Sequence, residues 1–296
     1  MVWDKITDHP YEFNLPYELE DLELLGDHLF VVGVPYSIDP EFKRNVFGAA
    51  KSYFMRHKSI DYTIKQYSKQ WDFDKKSDEI KDGLFSLCSM LRHNSKKIIN
   101  YLMSIDNKPD LPNLFACSAA ILRLTNSFHG AVLCINQRLH FETAAITRII
   151  LEQISWIYSI CRMSEDEVGY SKIAPHKTIS RLKEIIPSAA RGYGFLSKKG
   201  HIMFEETLRY IKVTDGDLEI QLHDKCLSAQ DAVNLLVLCD WLGIIGEYAY
   251  YDLLEKPQFV RLDENGKIQA NPDREFNKII DAGEKLLEKM QKSMTK

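Results

Sequence analysis

The sequence predicts a mainly α-helical protein, an antiparallel helical bundle with one or two small β-hairpins. Three observations lead there. Apolar residues recur at helical spacing through most of the chain, two long apolar segments are joined by a tight turn, and strand-like alternation is confined to short stretches. The chain has 296 residues, 45% hydrophobic and 27% charged, which suits a sizeable core and not a disordered chain. Its 38 basic and 42 acidic residues give a net charge of −4, so no global polycation awaits nucleic acid. A local basic patch remains compatible with that total.

Residues 1–38 read as mixed, with a short acidic helix near Tyr17–Leu25 and a strand-like stretch at 29–34. Pro40 opens a long helix running to Trp71, with proline in its first turn. A charged turn follows, and Leu84, Leu87, Leu91, Ile98 and Leu102 then mark a helix over 80–104. The two prolines of 106–113 make that segment the linker. Helices over 114–136 and 141–162 are apolar on most sides, and the QRLH turn between them makes them antiparallel neighbours. A shorter helix spans 175–186. Alternation around Asp215-Gly216-Asp217 then signals a hairpin. Ser228, with Asp231 three residues on, reads as the N-cap of a helix over 229–254. DENG at 263–266 closes a second hairpin. The last helix carries a seam of Phe276, Ile280, Gly283, Leu287, Met290 and Met294 that docks onto the body or meets a protein partner. The domain reading is 1–105, an N-terminal helical region; 106–113, a linker; 114–205, a helical core; and 206–296, a hairpin and helices packed on that core.

Several chemistries fall away. No glycine-rich phosphate loop, nucleophile elbow, short-spaced Cys/His zinc pattern or paired E-x-x-H motif occurs, so no cofactor and no metal are expected. The six cysteines include no C-x-x-C pair and read as reduced core residues. The opening MVWDKITDHPYEF has charges where a signal peptide needs an apolar stretch. The most apolar run, Ala232–Leu254, is interrupted by Asn234, Asp240 and Glu247, which fits a buried helix better than a bilayer span. A cytoplasmic protein without membrane contact is the expectation.

Two concentrations of polar residues remain. Arg148 and Glu152 stand one turn apart in an apolar surround, so they either form a structural ion pair or present an arginine, held by Glu152, to an anion. Tyr193, Ser197 and His201 follow at i, i+4 and i+8, with Lys198 and Lys199 beside them as anion-binding charges. A histidine flanked by cations suits acid–base work on a phosphodiester, while the same stripe can simply bind neighbouring helices.

Together, E-T-A-A-I-x-R-I-I-L-E (Glu142 to Glu152) and Y-G-F-L-S-x-x-x-H (Tyr193 to His201) resemble bacterial HEPN-like helical domains. The resemblance covers roughly 114–205. It implies a helical bundle, often dimeric. It also implies action on RNA or binding to it, in some members as metal-independent ribonucleases of toxin–antitoxin and antiphage systems, in others as inert scaffolds. By this resemblance His201 is the catalytic acid/base and Arg148 the anion ligand, with Glu152, Tyr193 and Ser197 in support. Catalytic members carry R-x4-6-H, and the formal match here is Arg123 with His129, which read alternatively as a polar stripe facing the partner helix. Expected partners are RNA, a second copy of the chain, and a protein met through the last helix. The alternatives are a non-catalytic interaction module, or a helical pocket sensing a nucleotide or small ligand.

Overall fold

Helical periodicity builds most of what the computed structural model describes, namely residues 22–27, 30–35, 39–57, 59–67, 79–105, 111–163, 173, 175–200, 211–214, 217–220 and 225–294. The chain divides into two compact units, Met1–Asp78 and Glu79–Lys296. The break lies at the charged turn and not at the prolines of 106–113. The reason is that the helix preceding those prolines belongs to the larger core, where its Leu87, Leu91 and Leu102 are fully buried.

In the smaller unit, β1 (Leu22–Asp27) and β2 (Phe30–Pro35) form an antiparallel hairpin with Asp27 opposite Phe30. This corrects the acidic helix read over Tyr17–Leu25: residues 22–25 are strand, and 17–21 lie outside the described residues. Pairing across the ladder outweighs the helix preference of Leu and Glu. The pattern that runs unbroken from Pro40 to Trp71 also yields two helices and not one, α1 (Pro40–Phe54) and α2 (Ile60–Tyr67). Arg56, in the left-handed region at φ 54°, closes α1. At its start Asp39 accepts from the N–H groups of Glu41 and Phe42, ahead of Pro40 in the first turn. Val34 and Phe47 are the buried apolar centre here.

The larger unit contains α3 (Glu79–Met103), α4 (Pro112–Asn136), α5 (His140–Ile160), α6 (Pro175–Leu182), α7 (Ala189–Gly200), the hairpin β3 (Ile211–Thr214) and β4 (Asp217–Ile220), α8 (Lys225–Ala249), the hairpin β5 (Val260–Leu262) and β6 (Ile268–Ala270), and α9 (Phe276–Met294). Its centre is α3, α4, α5 and α8. Helices α6 and α7 pack on α5, and α9 packs on α8 and α3. The fold is therefore mainly helical, with small antiparallel hairpins. The reversal between α4 and α5 is made by Arg138 at φ 58°. In the last hairpin Gly266 takes φ 75°, while Asp263 accepts from the N–H groups of Asn265 and Lys267.

Helix α8 is the axis of this core. Among the described residues it alone is long and apolar enough to cross a membrane, and 83% of that stretch is buried inside the protein. It approaches α3 so closely that a side chain at Gly246 would collide with Leu102. It begins at Lys225, so Ser228 and Asp231 lie within its first turns, which corrects the N-cap reading; both are buried. The seam of α9 is docked inside the chain, with Leu287 and Met290 buried and Gly283 against Leu236 and Leu87. Cys88, Cys117, Cys161 and Cys239 are buried thiols and Cys134 is half-buried. The side chain of Cys226 lies outside the described residues.

Candidate functional site

Helix α5 is largely buried and carries only three charged residues, so a guanidinium on it needs a partner. Arg148 has two. Its Nε donates to Glu152 Oε1 at 2.9 Å, and its Nη2 donates to the Tyr193 hydroxyl of α7 at 2.9 Å. The Tyr193 hydroxyl in turn donates to the same Glu152 oxygen at 3.2 Å. The guanidinium also lies 5.1 Å from the centre of the Tyr193 ring. One carboxylate oxygen thus gathers an arginine and a tyrosine from two helices into a closed three-membered network. Burial works against the charge on Arg148, but the hydrogen bond to Glu152 and the neighbouring Tyr193 outweigh it and hold the group above its ordinary value. The cluster is not sealed: the Arg148 and Glu152 side chains remain 26% and 20% exposed.

No family model, curated protein or solved structure matches the chain. The reading of this site therefore stands on its own residues.

The other expected residues divide. Ser197 is half-buried on α7, one turn beyond Tyr193, and Lys198 is exposed. Lys199 is engaged: its Nζ lies 3.2 Å from Asp231 Oδ1 and 4.8 Å from the centre of the Phe195 ring. His201 lies outside the described residues. Arg123 and His129 lie six residues apart on the unbroken helix α4. Arg123 faces a groove against α5, while burial lowers the pKa of half-buried His129. That groove, of about 560 Å³, is walled by Ala116, Ala119, Ala120, Ile149 and Trp156, with Arg123, Gln153 and Glu152 as its polar members. Glu152 therefore belongs to both the groove and the Arg148 cluster. Among the described residues no group of three or more His, Cys, Asp or Glu side chains is placed to hold a metal ion.

Three arrangements escaped the sequence reading. Asp231 binds Lys199 with one oxygen and meets His140 Nδ1 at 3.3 Å with the other, tying the ends of α7, α8 and α5 together. Glu247, fully buried in α8, accepts from the N–H groups of Gln258, Phe259 and Val260 and from the Tyr101 hydroxyl. Asp240, also buried, holds Arg274 through two hydrogen bonds. The signal was present, because each is a carboxylate in an apolar helix. Spacing along the chain gave no hint of the partners.

The Tyr193 hydroxyl joins α7 to α5 at a half-exposed place, so Tyr193→Phe is expected to cost only about 1 kcal/mol. A thermal melt should show a drop of a few degrees, with the Arg148–Glu152 pair intact. A loss above about 3 kcal/mol would mean the hydroxyl is a principal tie of the core.

Proposed function

We propose that this chain binds RNA as a HEPN-like helical protein, with Arg148 as the phosphate ligand and Glu152 and Tyr193 orienting it. The observation that carries this is the meeting of the two motif segments. Residues 41 and 45 positions apart converge on one partly exposed guanidinium. Exposed Arg191 and Lys198 on α7 add cationic charge on the helix that supplies Tyr193.

In the enzymatic form of this reading His201 removes the proton from the RNA 2′-OH as that oxygen attacks the adjacent phosphorus. Arg148 neutralises the charge that develops on the phosphoryl oxygens. The P–O5′ bond breaks, the leaving oxygen takes up a proton, and a 2′,3′-cyclic phosphate remains. The arrangement of Lys199 favours a second reading, a non-catalytic interaction module. One of the two expected anion-binding lysines is already held by a buried carboxylate, and two of the five guanidinium N–H groups of Arg148 are turned to Glu152 and Tyr193.

The test is cleavage of total RNA and tRNA in EDTA, beside His201→Ala of matched melting temperature. RNA binding by fluorescence anisotropy is measured on the same samples. Cleavage by the wild type and its loss in His201→Ala is the result the enzymatic form expects. Binding without cleavage, weakened tenfold or more in Arg148→Ala, leaves the RNA-binding module. Absence of both would overturn the proposal.

A further inference from the structure

The buried carboxylates Asp240 and Glu247 stand two turns apart along α8, and each holds a different piece of chain. Glu247 fixes residues 258–260 and the Tyr101 hydroxyl. Asp240 fixes Arg274, whose Nη1 donates to the Asn271 carbonyl at 2.8 Å. These pieces, together with α3 and the start of α9, wall a cavity of about 590 Å³ in the larger unit. That volume falls within the range of about 300–1,000 Å³ typical of small-ligand sites. From α3 come Asn94, Lys97, Ile98 and Tyr101, at i, i+3, i+4 and i+7 on one face. The deeper lining is apolar: Ile98, Phe259 and Phe276 are buried, and the two phenylalanine rings lie 6.0 Å apart, centre to centre.

Two features of the polar lining point to a ligand. Lys97, Lys256 and Glu275 all border the cavity, and among the described residues none of them pairs with an opposite charge. Cations and an anion are thus set around one space without meeting across it. The second feature is Asn94, which is only 7% exposed. Its Nδ2 donates to the Met90 carbonyl at 2.7 Å, while among the described residues no donor meets its Oδ1. A buried acceptor on the wall of a cavity calls for a donor from whatever fills that cavity.

We infer that this cavity binds a small zwitterion with an apolar side chain, the chemistry of a free amino acid or a dipeptide. The ligand carboxylate meets Lys97 and Lys256, its ammonium donates to Asn94 Oδ1 and to the Glu275 carboxylate, and its side chain packs on Phe259 and Phe276. A ligand carrying one charge leaves the opposite set of protein groups without a partner, and Asp273 and Glu275 repel one that is only anionic. The two carboxylates of α8 act from behind as positioning residues, holding the walls in place before the ligand arrives. Among the described residues neither α5 nor α7 contributes to this lining, so the site is separate from the Arg148 cluster and from Lys198 and Lys199.

The test is isothermal titration calorimetry of the full chain, without RNA, against L-phenylalanine and L-alanyl-L-phenylalanine up to about 10 mM. At least one is expected to bind with a Kd below about 1 mM, and which one binds tells the free amino acid from the dipeptide. Removing one charge from that ligand, by N-acetylation or by conversion to the C-terminal amide, is expected to weaken binding about tenfold or more. Lys97→Ala, Lys256→Ala and Glu275→Gln, all at exposed positions, are each expected to weaken it about tenfold while the melting temperature holds. Lys285→Ala, exposed on α9 and outside the cavity lining, is expected to leave binding unchanged. Absence of binding by both zwitterions overturns the inference. So does equal binding of the singly charged derivatives, and so does a Kd that none of the three cavity variants shifts. RNA is absent from the measurement, so a failure of the RNA proposal leaves this result untouched, and the reverse also holds.

Discussion

Replacing Glu247 by alanine is expected to remove about 3–5 kcal/mol of folding stability. The carboxylate is fully buried, and each of its oxygens is shared among donors. Oε1 takes the Tyr101 hydroxyl at 2.6 Å and the Gln258 N–H at 2.8 Å, while Oε2 takes the Phe259 N–H at 2.6 Å and the Val260 N–H at 3.1 Å. Alanine leaves these donors without an acceptor, and an unmet buried donor costs about 1–3 kcal/mol. Water reaching the Gln258 end recovers part of the sum, which keeps the loss below the full total. The melting temperature should fall by on the order of 10 °C. Glu247→Gln separates charge from shape. It keeps the volume and one acceptor but turns an amide N–H₂ toward backbone N–H groups, so about half the loss should remain. Tyr101→Phe removes one donor and its acceptor stays well supplied, so it should cost about 1 kcal/mol. Burial, then the hydrogen bond and charge of Glu247, raise the Tyr101 phenol well above its ordinary value, so it stays a donor through alkaline pH. Urea unfolding of the three variants checks the order. A loss under 1 kcal/mol for the alanine variant would show that the carboxylate does not tie the segment 258–260 to α8.

The contrast between Glu247 and Arg148 shows what the sequence can and cannot tell. Both are charges on apolar helices, and the cost of burying a charge demands a partner for each. For Arg148 the partner is one turn away, so Glu152 was legible from spacing alone. For Glu247 the partners are backbone N–H groups at the entry to β5, eleven to thirteen residues on, together with a tyrosine 146 positions earlier, and no side-chain pattern encodes them. The same limit separates the helices from their ends. The periodicity of Leu84 to Leu102 or of Phe276 to Met290 is a long-range signal that placed α3 and α9. The break at Arg56 and the strand at Leu22–Asp27 depend on one backbone torsion and one cross-strand pairing, both local and both open to override. Tyr193 lay on the stripe read from i, i+4 spacing, but its hydrogen bond to Arg148 follows from how α7 is laid on α5. That placement is held from the far end by Lys199, Asp231 and His140, which no motif joined.

The pair Asp240 and Arg274 yields the second large effect, and one that depends on pH. Arg274→Met leaves the methylene bulk near Phe276 but strips Asp240, which is 1% exposed, of its guanidinium. Breaking a buried pair from one side costs about 3–5 kcal/mol, because the remaining charge is left in a low-dielectric surround. Burial already raises the native pKa of Asp240 above 3.8, with Arg274 pulling against it. A carboxyl whose native pKa is raised binds its proton more tightly folded than unfolded. Its contribution therefore favours the native state in acid and is lost as pH climbs from the ordinary carboxylate range through the native value. Removing Arg274 takes away the opposing pull and moves that value higher still. The gap in stability between wild type and Arg274→Met should thus be widest at neutral pH and narrow in mild acid, where Asp240 takes up a proton. Adding Asp240→Leu to Arg274→Met replaces the pair with apolar groups and should recover most of the neutral-pH loss and abolish the narrowing. Urea unfolding at the two pH values, on both variants, reads this directly. A gap that stays constant or widens toward acid would mean that the cost of losing Arg274 arises in its hydrogen bond to the Asn271 carbonyl and its packing, and not in a stranded Asp240.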